Sequence, residues 1–145
     1  MTIAQALKEK NRLISEIKKI KEKIQKYNQM PVERERLYNV VELFDEFNTL
    51  KEKLVVIKTA IQLASEPMRK DVFVQSELKD SLSFIRNIPC ESGIVRDRYS
   101  REEGYEVSST YNAKMLDEMG TTIEKQIEEI QDRLDKFNHT TEVTL

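Results

Sequence analysis

Apolar residues in the first thirty positions fall on one side of a helix. From Leu13 they recur at Ile17, Ile20, Ile24 and Tyr27 in alternating steps of four and three, with Ile3, Leu7 and Ile14 extending or widening the stripe. That period is a heptad seam, so the pattern predicts an amphipathic helix over 2–29. Thr2 with Gln5 three residues on has the form of a capping box, in which each side chain satisfies a backbone N–H at the other residue. Pro31 ends the run, because proline disfavours helix in the residue before it.

A second stripe, Leu37, Val40, Phe44, Phe47, Leu54, Ile57 and Ile61, predicts a helix over 33–65 that is bounded by Pro67. The short link between the two favours an antiparallel helical hairpin. The middle of the chain is less regular. Asp71-Val72-Phe73-Val74 has the composition of a short strand, and Leu78, Leu82 and Ile85 mark a short helix over 76–87. Alternation on both sides of a polar segment predicts a β-hairpin over 94–111, with Gly104 offering the positive φ that such loops need. Tyr105, Val107 and Tyr111 would share one face of its second strand. The last stripe, Leu116 to Phe137, predicts a helix over 112–138 in which Gly120 marks a close approach by another backbone. The expected fold is mainly α. A long antiparallel helical hairpin and a third long helix form a coiled-coil bundle with a small inserted β-hairpin, all in one domain.

Composition supports this picture. Charged residues make up 34% of the 145-residue chain, Gly and Pro number three each, and Trp is absent, which leaves little material for an all-β fold. The net charge is only −2, so the total favours neither nucleic acid nor an acidic partner. Its distribution is uneven. Residues 1–30 hold eight basic and three acidic side chains, and residues 112–145 hold four basic and eight acidic ones. Opposite signs predict that these two helices lie near each other. The first helix lacks the interleaved aromatics that stack on bases, so nucleic acid is not the expected partner. No apolar run approaches the ~18 residues of a membrane span, the N-terminus lacks the apolar core of a signal peptide, and the lone Cys90 precludes an intrachain disulfide. The expected location is the cytoplasm.

Three segments, Ile3-Ala4-Gln5-Ala6-Leu7, Arg98-Tyr99-Ser100-Arg101-Glu102-Glu103 and Asn138-His139-Thr140-Thr141-Glu142-Val143, occur in an order and spacing that resemble a family of small bacterial and phage-borne proteins called septicolysin-like. The resemblance covers the first ~30 and last ~50 residues. That family usually has an Asn- and Thr-rich motif where this chain has Ile61-Gln62-Leu63-Ala64, and Trp where it has His139. The resemblance implies a helical, oligomeric protein with an irregular middle. The family's label suggests a lytic toxin, but no apolar insertion segment accompanies it here.

Chemistry in the sequence is sparse. One histidine and one cysteine exclude a multi-histidine metal centre and a CxxC pair, and nothing local supports a Cys90–His139 nucleophile. The three glycines lie too far apart for a phosphate loop. Neither catalysis nor a cofactor is expected. The densest binding chemistry lies on the predicted hairpin, where Arg96, Arg98 and Arg101 offer forked donors and Tyr99 and Tyr105 offer aromatic faces. Two readings follow. In one, the protein assembles with itself and binds or sequesters an anionic, nucleotide-like small molecule at a subunit interface through Arg96, Arg98, Tyr99, Arg101 and Tyr105. Phage proteins that sequester host signalling nucleotides are a functional analogy. In the other it is a structural or adaptor coiled coil, with Arg98 pairing Glu106 across strands.

Overall fold

The structure, a computed structural model, describes residues 1–96 and 104–145. It is mainly α-helical: α1 (Ile3–Tyr27), α2 (Val40–Ala64), α3 (Arg69–Arg86) and α4 (Ala113–Thr140), with a two-stranded antiparallel hairpin, β1 (Gly93–Val95) and β2 (Tyr105–Val107), between α3 and α4. The chain forms two compact units, one of Met1–Pro67 with Asp135–Leu145 and the other of Met68–Leu134.

In the first unit, α1 begins at the expected box. Gln5 N donates to Thr2 Oγ1 and Thr2 N to Gln5 Oε1, so two otherwise orphaned donors are satisfied together. At the other end Arg36 reaches back and donates to the carbonyls of Tyr27 and Asn28, at 3.0 and 3.2 Å. That guanidinium closes α1 where its dipole is negative. α2 starts at Val40 and not at Glu33. Asn39 Oδ1 accepts from Val41 N and Glu42 N, making Asn39 the N-cap, while Pro31 and Arg34 form a turn upstream.

The two helices run antiparallel, late α1 beside early α2: Lys21 lies over the ring of Phe47, and Leu13 flanks the same groove as Val56 and Ile57. Their core holds Ile3, Ala6, Leu13, Ile17 and Ile20 from α1 against Leu43, Leu50, Ile57 and Ala60 from α2. With Phe47, Leu54, Ile61 and Ala64 partly buried, the stripe on α2 steps 43, 47, 50, 54, 57, 61, 64, an unbroken heptad. The expected stripe therefore mixed two faces: Phe44 and Leu37 are 47% and 73% exposed, and Leu43 and Leu50 take the core positions. Chain ends complete this unit. Thr2 bridges Glu142, Ile3 N donates to the Thr141 carbonyl, Val143 N donates to that of Met1, and Val143 is buried. Two of the three segments that carry the family resemblance thus pair with each other; residues 98–103 of the third lie outside the described residues.

In the second unit, Asp71–Val74 is helix, not strand. A 3₁₀ turn at Glu66–Met68 leads straight into α3, and no Gly or Pro interrupts it before Pro89. Tertiary contacts override the β-branched composition. Gln75 on the inner face donates to Gln131 Oε1 at 2.9 Å and to the Ile127 carbonyl at 3.4 Å, and is the one buried polar residue among those described. Asp71 pairs with Arg133 and Arg86 with Glu124, so α3 and this part of α4 run antiparallel. Among the described residues the ion pairs of α1 are internal, Arg12 with Glu9 and Glu16, and the Met1 amino group just before it pairs with Glu142 from the acidic C-terminal segment. The hydrogen bond from Arg12 holds the Glu9 carboxyl below the ordinary carboxylate range, with Lys53 adding to the same effect. Because the folded-state value is depressed, this contribution is present above the unfolded carboxylate pKa and fades as pH falls through the folded one.

Gly120 is buried in α4, but no backbone approaches it; a Cβ there would meet only Leu82 Cδ1, at 3.5 Å, an ordinary contact. Gly120→Ala should therefore stabilise the protein by up to ~1 kcal/mol by raising helix propensity, read as a higher midpoint in thermal unfolding. Replacing Leu50 by Ala should cost ~2–5 kcal/mol in chemical denaturation, and Leu37→Ala less than about 0.5. Equal costs would contradict the assigned stripe.

Candidate functional site

The hairpin is set up by its glycines. Gly93 has φ 117°, the left-handed region that favours glycine, and starts β1. Ser109 Oγ donates to the Glu91 carbonyl at 2.7 Å and ties the strand exit to the strand entry. At Gly104 the requirement is space. An added Cβ would lie 2.6 Å from the Val95 carbonyl oxygen and 2.7 Å from Arg96 Cγ, closer than real Cβ atoms come. Glycine there lets the second strand close onto the first.

The register is Gly93 with Val107, Ile94 with Glu106 and Val95 with Tyr105. Residues directly opposite share a face and successive residues alternate. Val95 and Tyr105 therefore occupy one face, and Ile94, Glu106 and Arg96 the other. Glu106 stands across from Ile94; its pairing with Arg98 involves a residue outside the described ones. Of the expected ligand residues, Arg96 and Tyr105 are both exposed and project to opposite sides of the ribbon. One copy does not bring them together. Arg98, Tyr99 and Arg101 lie outside the described residues. Tyr105 and Val107 share a face as expected, whereas Tyr111 falls beyond β2.

Two other places bring chemistry together. At the tip of the first helical hairpin the ring centroids of Tyr27 and Tyr38 are 4.9 Å apart, with Lys26 Nζ 5.3 Å from Tyr27 and Lys23 Nζ 4.8 Å from Tyr38. Tyr27 is the last residue of α1, Tyr38 comes from the linker, and Phe47, under Lys21, comes from α2. Such exposed cation–π contacts contribute about 0.5–1 kcal/mol each. A linear pattern search misses the cluster because Tyr38 lies outside both helices; its position beside the hairpin turn is the only signal.

In the first unit an apolar groove of about 470 Å³ is lined by Leu13, Val56, Ile57 and Leu145, together with Glu9 and Lys53. That volume is within the range of small-molecule sites. In the second unit a smaller cavity of about 190 Å³ lies beside half-buried Cys90, with Arg86, Leu116, Asp117 and Gly120. Among the described residues no group of His, Cys, Asp and Glu has a metal-binding arrangement, and no buried side-chain N or O lacks a partner. Nor is any helix long and apolar enough to cross a membrane.

Comparison with protein-family models, with curated proteins and with solved structures finds no match to this chain.

Proposed function

We propose that this is a non-catalytic, self-associating helical protein that binds an anionic, nucleotide-like small molecule at an interface between copies. The observation that carries the assembly half of this reading is the second apolar face of α2. Val41, Val55 and Leu63, all large, apolar and more than half exposed, lie on the side away from the heptad stripe that meets α1, and Phe44 and Val56, each about half exposed, lie on its two flanks. A row of such side chains along one helix has the character of an interaction surface rather than of scattered surface residues.

The ligand half rests on the hairpin. Arginine supplies a planar fork of donors suited to phosphate, and tyrosine supplies an aromatic face suited to a base. With Arg96 and Tyr105 on opposite faces of one ribbon, a pocket using both takes Arg96 from one copy and Tyr105 from another. Assembly and binding are then coupled, and ligand would stabilise the oligomer by mass action.

A purely structural or adaptor role is the second reading, favoured by the α2 face alone. Native mass spectrometry of the purified protein, followed by titration with a panel of mono- and dinucleotides, separates the two. On the ligand reading, an oligomer carries or takes up a nucleotide, and Arg96→Ala or Tyr105→Ala weakens uptake tenfold or more (about 1.4 kcal/mol) without changing subunit number. An intact oligomer that takes up none of the panel and brings no small molecule with it leaves the structural role standing.

A further inference from the structure

We infer that the tip of the first helical hairpin binds single-stranded nucleic acid, with Lys19, Lys23 and Lys26 on its phosphates and the rings of Tyr27 and Tyr38 against a base. This goes beyond the reading above, since it needs neither the ribbon nor a second copy.

The first observation is charge that the fold does not neutralise. α1 carries eight basic and three acidic side chains, and two of the three carboxylates, Glu9 and Glu16, are held by Arg12. Among the described residues no carboxylate forms an ion pair with Lys19, Lys23 or Lys26, and that includes Glu42, Asp45 and Glu46 of early α2. Steps of four and three place the three ammonium groups on one side of α1, within about 10 Å along its axis at 1.5 Å per residue. Such an array attracts a chain of negative charges more than a single one.

Charge alone suits any polyanion, and the tyrosines narrow the class. Tyr27 and Tyr38 share a recess of about 300 Å³ with Lys19, Lys23 and Lys26, and Glu22 is the one carboxylate in its wall. Lys26 lies over the first ring and Lys23 over the second, so cation and aromatic plane are adjacent within one chain. On the ribbon, by contrast, Arg96 and Tyr105 are kept apart. A base that takes the place of a lysine over either ring leaves that ammonium beside its own phosphate. Aromatic faces accept bases that are already unstacked, which selects a single strand over a duplex. An acidic protein surface would engage the lysines and make no use of the rings.

The sequence argues against nucleic acid because the basic helix has no interleaved aromatics. The fold supplies them at the end of that helix. Arg36 donates to the carbonyls of Tyr27 and Asn28 and so holds the linker against the last turn of α1, and Tyr38, two residues on, stacks at a tilt on Tyr27.

Fluorescence anisotropy of the full chain with a dye-labelled oligothymidylate of about twelve nucleotides tests this. Binding should saturate, and log K should fall against log salt with a slope of about −2, from three phosphate contacts at about 0.7 each. Tyr38→Ala should weaken binding roughly tenfold at an unchanged slope. Lys23→Gln should flatten the slope by about 0.7, and Lys114→Gln, on α4, should leave both affinity and slope as they are. No binding at about 50 mM salt and about 100 μM protein would overturn the inference. So would a duplex of the same length, or polyglutamate, competing as well as the single strand while Tyr38→Ala has no effect; the partner would then be a duplex or an acidic protein.

Discussion

A helix can bury one stripe against one neighbour, and α2 carries two. Its heptad stripe is consumed by α1, in a core where Ile3, Leu13 and Ile57 are almost completely shielded. Its other side holds Val41, Val55 and Leu63 in contact with water, flanked by Phe44 and Val56. Neighbouring α1 shows the contrast: apart from Ile14 and Tyr27, its apolar positions go into the core and its outer side is lysine, arginine and glutamate. The hydrophobic effect gives both faces of α2 the same drive to leave water, roughly 25 cal/mol per Å² of apolar surface. Satisfying only one of them is what makes self-association the central feature of this reading.

That requirement links the fold to the hairpin. A two-stranded ribbon offers two faces, and strand alternation forces Arg96 and Tyr105 onto different ones. Within one chain this separates the fork from the aromatic plane. Between chains it is useful, since a ribbon in an assembly can contribute a cation to one neighbour and a ring to another. The tight seat of Gly104 against Val95 and Arg96 fixes which side each residue takes. Polar layers elsewhere serve register in the same way: Gln75 with Gln131 and Asp71 with Arg133 permit only one sliding position of α3 along its segment of α4.

Much of the fold was legible in the sequence because it is written in period and caps. The heptad steps from Leu13, the Thr2–Gln5 box, the stop before Pro31 and the start at Asn112, whose Oδ1 accepts from Met115 N, are local signals with local causes. Misreadings arose where two signals overlapped. On α2 apolar residues surround most of the helix, so Leu37 and Phe44 fit the period as well as Leu43 and Leu50 do; the cap at Asn39, followed by Glu42, marks where the helix starts. At Asp71–Val74 three successive β-branched or aromatic residues suggest a strand, while in the helix Asp71 and Gln75 stand one turn apart on the face that meets α4. Gly120 looked like a backbone contact, and its neighbour proved to be a leucine side chain. Of the candidate site, the strand alternation was readable, but the opposition of Arg96 and Tyr105 depends on register, which the hairpin residues alone did not specify.

Sedimentation equilibrium of the purified chain, compared with a Val55→Asp variant, tests the central claim most directly. The account predicts a mass that is a multiple of the 17.1 kDa chain at micromolar concentration, falling towards a single chain when the charge enters the outer face of α2. A folded wild-type protein that holds the mass of one chain across the whole concentration range would contradict it.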